Sequence, residues 1–200
     1  MGPDARRTGM SSVSPEQARR VRVVLLDADG VMTDGGLYVS ADEDRVTEGR
    51  RFHVHDGLGI HMLRRADLEV AIVSGKISLP VRRRAEALGI MEIHQVSPFG
   101  KLETVDDILR RAGAGWDQAA FLADDLADLP VLGEVGLPAA VANAVPEVKE
   151  AADWVGDVCG GEGAVREFTE ALLKARGEWD GLVEGYVAEC FAHWRSSKSE

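Results

Sequence analysis

Short apolar segments alternate with segments of helical periodicity along most of this sequence. The first apolar run, at 21–26, is typical of a strand that is buried on both faces. Helices alternating with short buried strands predict an α/β fold with a Rossmann-like, doubly wound parallel sheet. Further strands are predicted at 70–73, near Ile93, and at 119–122, 139–142 and 154–158, with helices at 57–66, 78–88, 102–112, 126–134 and 164–175 and from about Pro146.

Three segments lie outside this alternation. Residues 36–48 predict a β-hairpin with a polar tip. Residues 1–20, rich in Gly, Pro, Ser and Arg, are expected to form a flexible arm with one helical turn after Ser14. We therefore expect one α/β domain over 21–176 and a separate amphipathic helix over 177–200.

The C-terminal segment carries large apolar side chains at steps of three and four residues, the spacing of one helix face. Packing of this face on the parent domain is favoured by a narrow margin. Contact with a neighbouring subunit is the alternative, because exposed aromatic side chains suit an interface. The residues of this stripe are Trp179, Leu182, Val183, Tyr186, Val187, Cys190, Phe191 and Trp194.

The chain carries a net charge of −11, from 34 acidic and 23 basic side chains. This charge repels nucleic acids and anionic membranes, so neither is expected as a partner. The two cysteines, Cys159 and Cys190, fit free thiols in a reducing compartment. Residues 1–20 lack the apolar stretch of a secretory signal, and no segment has the apolar length needed to span a bilayer. The sequence therefore predicts a cytoplasmic protein.

Two aspartates, Asp27 and Asp29, follow the first apolar run. Alternate residues of a strand share one direction, so both carboxylates can point to one place while Ala28 faces away. One carboxylate can attack phosphorus as a nucleophile while the other handles the proton of the leaving group. The pattern alone is weak evidence, because an aspartate-rich turn after a strand is common.

Other polar residues stand where the predicted strands end. In an open parallel sheet, ligands bind beyond the carboxyl ends of the strands, so we expect these residues to meet in one crevice. Each one alone is better explained as a turn, a solvated lysine or a helix cap, but their combination and order favour a site. They are Ser74, Gly75 and Lys76 after 70–73, Lys101 at the start of the helix at 102–112, and Asp124 and Asp125 after 119–122, with Asp128 one turn later.

The residue types in this set complement one another chemically. Asp27, Asp124 and the backbone carbonyl of Asp29 offer hard oxygen ligands that suit Mg²⁺. Ser74 can hydrogen-bond a phosphoryl oxygen, and Lys101 can offset the charge of a phosphate dianion. Phosphoryl transfer mainly requires in-line positioning and cations on the phosphoryl oxygens.

The order of these motifs resembles the haloacid dehalogenase superfamily of phosphatases. Three further segments resemble one family within it, the 3-deoxy-D-manno-octulosonate 8-phosphate phosphatases and their nonulosonate 9-phosphate relatives. The likeness covers about 21–175 and is specific, because these segments lie outside the general superfamily signature. They are Met32-Thr33-Asp34-Gly35, Phe52-His53-Val54-His55-Asp56-Gly57-Leu58-Gly59-Ile60 and Gly160-Gly161-Glu162-Gly163-Ala164-Val165-Arg166-Glu167.

The resemblance implies a haloacid dehalogenase-like domain without a cap domain, assembled as a homotetramer through the 36–48 hairpin. It implies Asp27 as the nucleophile that forms an aspartyl-phosphate and Asp29 as general acid and then base. The other implied roles are Mg²⁺ binding by Asp27, the Asp29 carbonyl and Asp124, support of the metal by Asp125 and Asp128, phosphate binding by Ser74 and Lys101, and places near the substrate for Gly75, Lys76, Asp56 and Gly57.

Three positions depart from the family pattern. Ala123 replaces the glycine usual before the aspartate pair, and Lys76 replaces an arginine without its bidentate fork. Glu162 stands where an arginine is usual, and its charge would disfavour a sugar acid carboxylate if this loop reaches the active site. The departures concern the substrate more than the reaction, because the catalytic carboxylates are intact.

The sequence thus predicts a Mg²⁺-dependent phosphomonoesterase for a small phosphorylated sugar or sugar acid, foremost 3-deoxy-D-manno-octulosonate 8-phosphate. Hydrolysis of a nonulosonate 9-phosphate or another phosphosugar is the nearer alternative. A non-catalytic oligomeric scaffold that keeps the fold is the other alternative, and the intact carboxylates argue against it.

Overall fold

The computed structural model describes residues 12–42 and 45–198, and its centre is a six-stranded sheet. Every strand pair in this sheet is parallel. The strands of the chain are β1 (Val23–Leu26), β2 (Tyr38–Asp42), β3 (Arg45–Gly49), β4 (Glu69–Ser74), β5 (Glu92–Gln95), β6 (Ala119–Ala123), β7 (Leu137–Ala140) and β8 (Trp154–Val155). The order of strands in the large sheet is β5-β4-β1-β6-β7-β8.

Strand β1 occupies the middle of the sheet, and all four of its residues are buried. Its last residue, Leu26, lies opposite Ile72 of β4 on one side and Leu122 of β6 on the other. The carboxyl ends of β1, β4 and β6 therefore lie side by side. This register brings together the segments after the three strands, where the sequence places its polar residues.

The helices form two groups, as in a doubly wound sheet. In the first group α2 packs against α7, and α7 packs against α1. In the second group α4 packs against α5, and α5 against α6. The helices are α1 (Pro15–Arg20), α2 (Val54–Arg65), α3 (Leu79–Ala87), α4 (Lys101–Ala112), α5 (Leu129–Leu132), α6 (Pro146–Ala151), α7 (Ala164–Arg176) and α8 (Trp179–Ser196).

Several predicted elements differ from the observed ones. Helix α2 begins at Val54, three residues before the predicted start at 57, and β8 ends at Val155 instead of 158. The helix expected at 126–134 is a 3₁₀ turn, Leu126–Asp128, followed by the short α5. Pro130 lies in the first turn of α5. Proline is tolerated there because a backbone N–H in the first turn has no acceptor within the helix, so its absence removes no hydrogen bond. Strand β7 begins at Leu137, two residues before the predicted start, and includes Pro138.

The hairpin expected at 36–48 is present as β2 and β3, which form a separate antiparallel sheet of two strands. Residues 43–44 of its expected polar tip lie outside the described residues. The hairpin exposes the apolar side chains of Leu37, Tyr38, Val39 and Val46. It is thus joined to the domain at its base and exposed along its length.

The ends of the described chain contact the domain. Residues 1–11 of the expected N-terminal arm lie outside the described residues, whereas α1 packs on α7 and buries Ala18 completely. The first half of α8 also packs on the domain and buries Trp179, and Glu189 in its second half bonds to Arg65 of α2 at 2.6 and 2.7 Å. Within residues 12–42 and 45–198, no helix combines the length and the apolar character that a membrane crossing requires.

The second half of α8 exposes its apolar face. Val187, Phe191 and Trp194 are all exposed, whereas Leu182 and Tyr186 pack against the core. The sequence favours packing of this face on the parent domain by a narrow margin, and the first two turns of the helix do pack in this way. The remaining turns keep the apolar face that the alternative requires.

We expect Phe168→Ala to lower the free energy of unfolding by about 3–5 kcal/mol, because it leaves a cavity in the core. Phe168 of α7 is fully buried, with its ring centroid 5.2 Å from that of Trp154. The exposed Phe191 is the matched control, and Phe191→Ala should change stability by less than about 0.5 kcal/mol. Urea unfolding measures both changes, and equal losses would contradict this account of the core.

Candidate active site

The site begins with Asp27, which directly follows β1. Its carboxylate is buried, and Lys101 Nζ donates to its Oδ1 at 2.8 Å. The same ammonium bonds to Oδ1 of Asp128, which is also buried. Lys101 itself is 3% exposed and is the first residue of α4. One buried ammonium thus joins the segments that follow β1 and β6 to the start of α4.

A third carboxylate, that of Asp124, completes the group. Asp27, Asp124 and Asp128 each offer a carboxylate oxygen, and these oxygens lie within 4.8 Å of one another. Asp124 approaches the turn after β1 so closely that a Cβ at Gly30 would lie 2.0 Å from its Oδ2. Gly30 also has a φ of +88°, which favours glycine, so the turn requires this residue for two reasons.

Burial and mutual repulsion disfavour the ionised forms of these carboxyl groups. Burial, and after it the neighbouring Asp27 and Asp128, raise the pKa of Asp124 to about 8. Burial also raises the pKa values of Asp27 and Asp128, against the lowering effect of Lys101. Burial by itself would lower the pKa of Lys101. The carboxylates of Asp27 and Asp128 together have the larger effect, so the pKa of the Lys101 ammonium is raised.

The charges in this group are unbalanced in a way that suits a divalent cation. Three carboxylates face a single ammonium, so full ionisation leaves two negative charges uncompensated. In addition, Asp124 Oδ1 is buried without a hydrogen-bond partner among the described residues. Closely spaced carboxylate oxygens with spare lone pairs are the donors that hard cations prefer. The residues present therefore fit a divalent metal ion.

Ser74 and Gly75 lie beside the same group. Ser74 is buried at the end of β4, and a Cβ at Gly75 would lie 3.6 Å from Lys101 Cε. The Ser74 hydroxyl exchanges long hydrogen bonds with the backbone of Lys76, at 3.3 and 3.4 Å. Lys76 is exposed. The structure thus places Gly75 next to Lys101, with the buried Ser74 directly before it in the chain and Lys76 at the surface.

Asp29 does not join the carboxylate group. Its Oδ1 accepts a hydrogen bond from Arg50 Nε at 2.7 Å, while its Oδ2 is buried without a hydrogen-bond partner among the described residues. Asp125 is exposed and caps the following 3₁₀ turn, accepting from the N–H of Leu126 at 2.8 Å. The helix-cap interpretation of Asp125 is therefore realised in the structure, and its support of a metal stays a prediction.

Asp56 and Gly57 contact neighbouring helices. Asp56 is buried in the first turn of α2, and its Oδ1 accepts from the N–H of Arg166 in α7 at 2.9 Å. A Cβ at Gly57 would lie 2.9 Å from a side-chain carbon of Leu88. Burial raises the pKa of Asp56, and the Arg166 N–H partly opposes it. Contact of these two residues with a substrate stays a prediction.

Asn143 supports the turn after β1, and the sequence patterns did not identify it. Its Nδ2 donates to the Gly30 carbonyl at 3.0 Å, and its Oδ1 accepts from the Gly160 N–H at 2.6 Å. A Cβ at Gly160 would lie 1.8 Å from the Gly30 oxygen, and one at Gly161 would lie 2.2 Å from the backbone nitrogen of Asp34. The glycine-rich loop thus packs directly on the turn that carries Asp27 and Asp29.

Glu162, one of the three departures, extends from this loop to Arg51. The two side chains form an ion pair at 2.7 Å and are about half exposed. Arg51 also lies 3.5 Å from Asp34, whose carboxylate accepts from the Tyr38 hydroxyl at 2.6 Å. Because the Arg51 hydrogen bond and charge lower the pKa of Glu162, its carboxylate stays ionised and is compensated locally.

Comparison with known proteins identifies the family. Residues 86–165 match the model of the haloacid dehalogenase-like hydrolases. The 3-deoxy-D-manno-octulosonate 8-phosphate phosphatase of Haemophilus influenzae is 40% identical over 166 residues, which cover 82% of this chain and 88% of that protein. The chain belongs to the 3-deoxy-D-manno-octulosonate 8-phosphate phosphatase family. It is therefore a phosphomonoesterase of the haloacid dehalogenase superfamily, and the predictions of family and enzyme class are confirmed.

Solved structures of this phosphatase family share the fold. The enzyme from Yersinia pestis superimposes with a TM-score of 0.78 and 36% identity, over 84% of this chain and 88% of that one. The enzyme from Moraxella catarrhalis superimposes with a TM-score of 0.79 and 31% identity, over 86% of this chain and 97% of that one. That structure is a complex with a magnesium ion, a phosphate ion and a KDO molecule. The predicted fold class is confirmed.

The carboxylate group predicts a stability that falls as pH rises. In the unfolded chain Asp124 ionises near its ordinary pKa of 3.8, whereas in the folded protein its pKa is about 8. At pH values between these two pKa values the folded protein binds more protons than the unfolded chain. The contribution of Asp124 to the free energy of unfolding is therefore largest near pH 3.8 and is lost as the pH rises toward about 8. Each 1 kcal/mol lost lowers the melting temperature by about 2–4 °C in a chain of this size.

Thermal unfolding in the presence of a chelator, at several pH values between about 5 and 8, measures this slope. Asp124→Asn should flatten it, and the control Asp125→Asn should not, because Asp125 is exposed. A melting temperature of the unmodified protein that rises across this range would contradict the assignment.

Proposed function

We propose that this protein is a Mg²⁺-dependent phosphatase that hydrolyses 3-deoxy-D-manno-octulosonate 8-phosphate through an aspartyl-phosphate intermediate. The observation that carries the proposal is the group of the buried Asp27 and Asp128 and the half-buried Asp124 around Lys101, at the strand ends of a chain in this phosphatase family. The magnesium, phosphate and KDO molecule in the Moraxella catarrhalis relative support the choice of metal and substrate.

Asp27 and Asp29 share the chemical work in this mechanism. Asp27 forms a bond to phosphorus while Asp29 gives its proton to the departing sugar oxygen. Water then attacks the aspartyl-phosphate, and Asp29 takes the proton of that water. Lys101 holds the Asp27 carboxylate in place, and Ser74 hydrogen-bonds a phosphoryl oxygen. Asp124, Asp27 and the Asp29 carbonyl would hold Mg²⁺, which would supply the positive charge that lets a carboxylate approach a phosphate dianion.

A phosphosugar that lacks a carboxylate is the second candidate substrate. The observation that favours it is Glu162, which places a carboxylate in the loop that packs on the turn after β1. Its pairing with Arg51 weakens the repulsion of a substrate carboxylate, so the octulosonate stays the first candidate. In both cases the same residues would carry out the reaction.

Phosphate release from a panel of phosphorylated sugars and sugar acids, with Mg²⁺ or with a chelator, tests the proposal. We expect Mg²⁺-dependent release that is fastest with 3-deoxy-D-manno-octulosonate 8-phosphate. Faster release from a nonulosonate 9-phosphate or from a phosphosugar that lacks a carboxylate would reassign the substrate and keep the mechanism. No release from folded, Mg²⁺-loaded protein would favour the non-catalytic scaffold.

We expect Asp27→Asn to reduce phosphate release by at least about 10³-fold, because the amide cannot act as the nucleophile. The fold should persist, because the change removes a buried carboxyl group whose ionised form is disfavoured. Asp106→Asn is the control, since Asp106 is an exposed residue of α4 paired with Arg110. Circular dichroism checks the fold, and near-normal activity of Asp27→Asn would exclude this mechanism.

The hairpin is proposed as the contact surface of a homotetramer. Its exposed apolar side chains (Leu37, Tyr38, Val39 and Val46) support this role, because adjacent apolar side chains on a surface mark interfaces. The domain at 21–176, with 177–200 as an appended helix, is proposed as the subunit, and the cytoplasm as its compartment.

Light scattering after size exclusion should give four times the chain mass of 21.6 kDa. Val46→Glu should lower this mass, because it places a charge in the proposed contact. Met91 is exposed elsewhere on the domain, directly before β5, so Met91→Glu should leave the mass unchanged. A mass that is unaffected by Val46→Glu would exclude the hairpin as the contact.

A further inference from the structure

Arg50 has an almost fully buried side chain that contacts Asp29 in the site. Its side chain is 2% exposed, and its Nε donates to Asp29 Oδ1 at 2.7 Å. Its Nη2 lies 2.7 Å from the Glu48 carboxylate, and its Nη1 donates to the Gly49 carbonyl at 3.2 Å. All three guanidinium nitrogens therefore have partners, and the planar guanidinium is held in one orientation.

The path of the chain explains how Arg50 reaches Asp29. Arg50 directly follows β3 of the hairpin, and two residues later Phe52 pairs with Thr33 in an isolated antiparallel bridge. This bridge holds the segment after the hairpin against the turn after β1. Glu48 lies on β3 itself, so the guanidinium connects the hairpin to the aspartate two residues beyond the nucleophile.

The two oxygens of Asp29 have different surroundings. Arg50 engages Oδ1, whereas Oδ2 has no hydrogen-bond partner among the described residues although it is buried. A buried carboxylate oxygen normally has a partner, so an unpaired one in an active site indicates a place for a reacting group. The arrangement leaves Oδ2 as the oxygen that can carry a proton to or from the substrate.

We propose that Arg50 is the positioning residue for acid–base catalysis by Asp29, fixing Oδ1 so that Oδ2 exchanges the proton. The inference rests on the proposed function. In the first step the Asp27–phosphorus bond forms, the bond from phosphorus to the sugar oxygen breaks, and the proton on Oδ2 moves to that oxygen. In the second step a water oxygen bonds to phosphorus, the Asp27–phosphorus bond breaks, and Oδ2 takes the proton of the water.

The two steps differ in how they depend on Asp29. A sugar alkoxide needs a proton to leave, whereas nitrophenolate leaves without one, so formation of the aspartyl-phosphate from 4-nitrophenyl phosphate needs little help from Asp29. Hydrolysis of the aspartyl-phosphate needs the base with both substrates. A residue that acts through Asp29 must show the same pattern of dependence, and a residue that only stabilises the fold must not.

We expect Arg50→Met to lower kcat for the sugar phosphate by about 100-fold, because Asp29 is no longer held in a reactive orientation. KM should stay within about threefold, since all three guanidinium nitrogens of Arg50 already have partners within the protein. With 4-nitrophenyl phosphate the variant should release a rapid burst of nitrophenolate and then turn over slowly. Arg50→Lys should recover part of the loss, because one ammonium can engage Asp29 but not Glu48 at the same time.

A double-variant cycle decides whether Arg50 acts through Asp29. If it does, Arg50→Met combined with Asp29→Asn should be no slower than Asp29→Asn alone. Losses that multiply, or a nitrophenolate burst slowed as much as steady-state turnover, would overturn the inference. The exposed Arg110 of α4 provides the matched control, and Arg110→Met should keep full activity.

Two further measurements keep the test decisive. If Arg50→Met does not fold, Glu48→Gln removes the partner of the guanidinium on the hairpin and should give the same pattern with a loss of about 10-fold. Glu48→Gln with unchanged kcat would then overturn the inference. An unmodified protein that is inactive on both substrates would overturn the proposed function itself, which separates the two failures.

Discussion

A single buried ammonium group, that of Lys101, makes the active site possible. It bonds to Asp27 and Asp128, and Asp124 lies within reach of the same oxygens. Without this cation the ionised carboxylates of Asp27 and Asp128 could not be buried beside the half-buried Asp124, because removing charges from water costs several kcal/mol for each unpaired ion. With it, negative charge still remains in excess. The carboxylates can therefore lie together in the folded protein, and their excess negative charge can attract a divalent cation.

The same site also depends on backbone segments that approach very closely. Gly30 leaves room for Asp124, and Gly160 packs on the carbonyl of Gly30 where a methyl group would collide with it. Thr33 fills the centre of this turn, where its hydroxyl donates to the Ala28 carbonyl and accepts from Gly30 and Gly35. These contacts hold the carboxylate of Asp27 on a rigid support, which electrostatic catalysis requires.

Two adjacent arginines connect the segment after the hairpin to the turn after β1 and to the glycine-rich loop. Arg50 holds Asp29, and Arg51 pairs with Glu162 in the glycine-rich loop and lies near Asp34. The segment that follows the hairpin therefore compensates the charge of the proposed acid–base residue and also that of Glu162 in the glycine-rich loop. A partner subunit seated on the hairpin would act on both residues through this short segment.

Periodicity and strand ends, which are local properties of the chain, were enough to predict the α/β fold, the hairpin and the convergence of Asp27, Ser74, Lys101 and Asp124. They were sufficient because parallel strands bring their carboxyl ends to one edge whatever the loops do. The tertiary structure alone decided that Asp128 shares Lys101, that Arg50 holds Asp29, and that Asn143 joins two loops. These contacts span 17 to 113 residues of sequence. They depend on the path of the loops, and in the sequence Arg50-Arg51 cannot be told from a solvated charge pair.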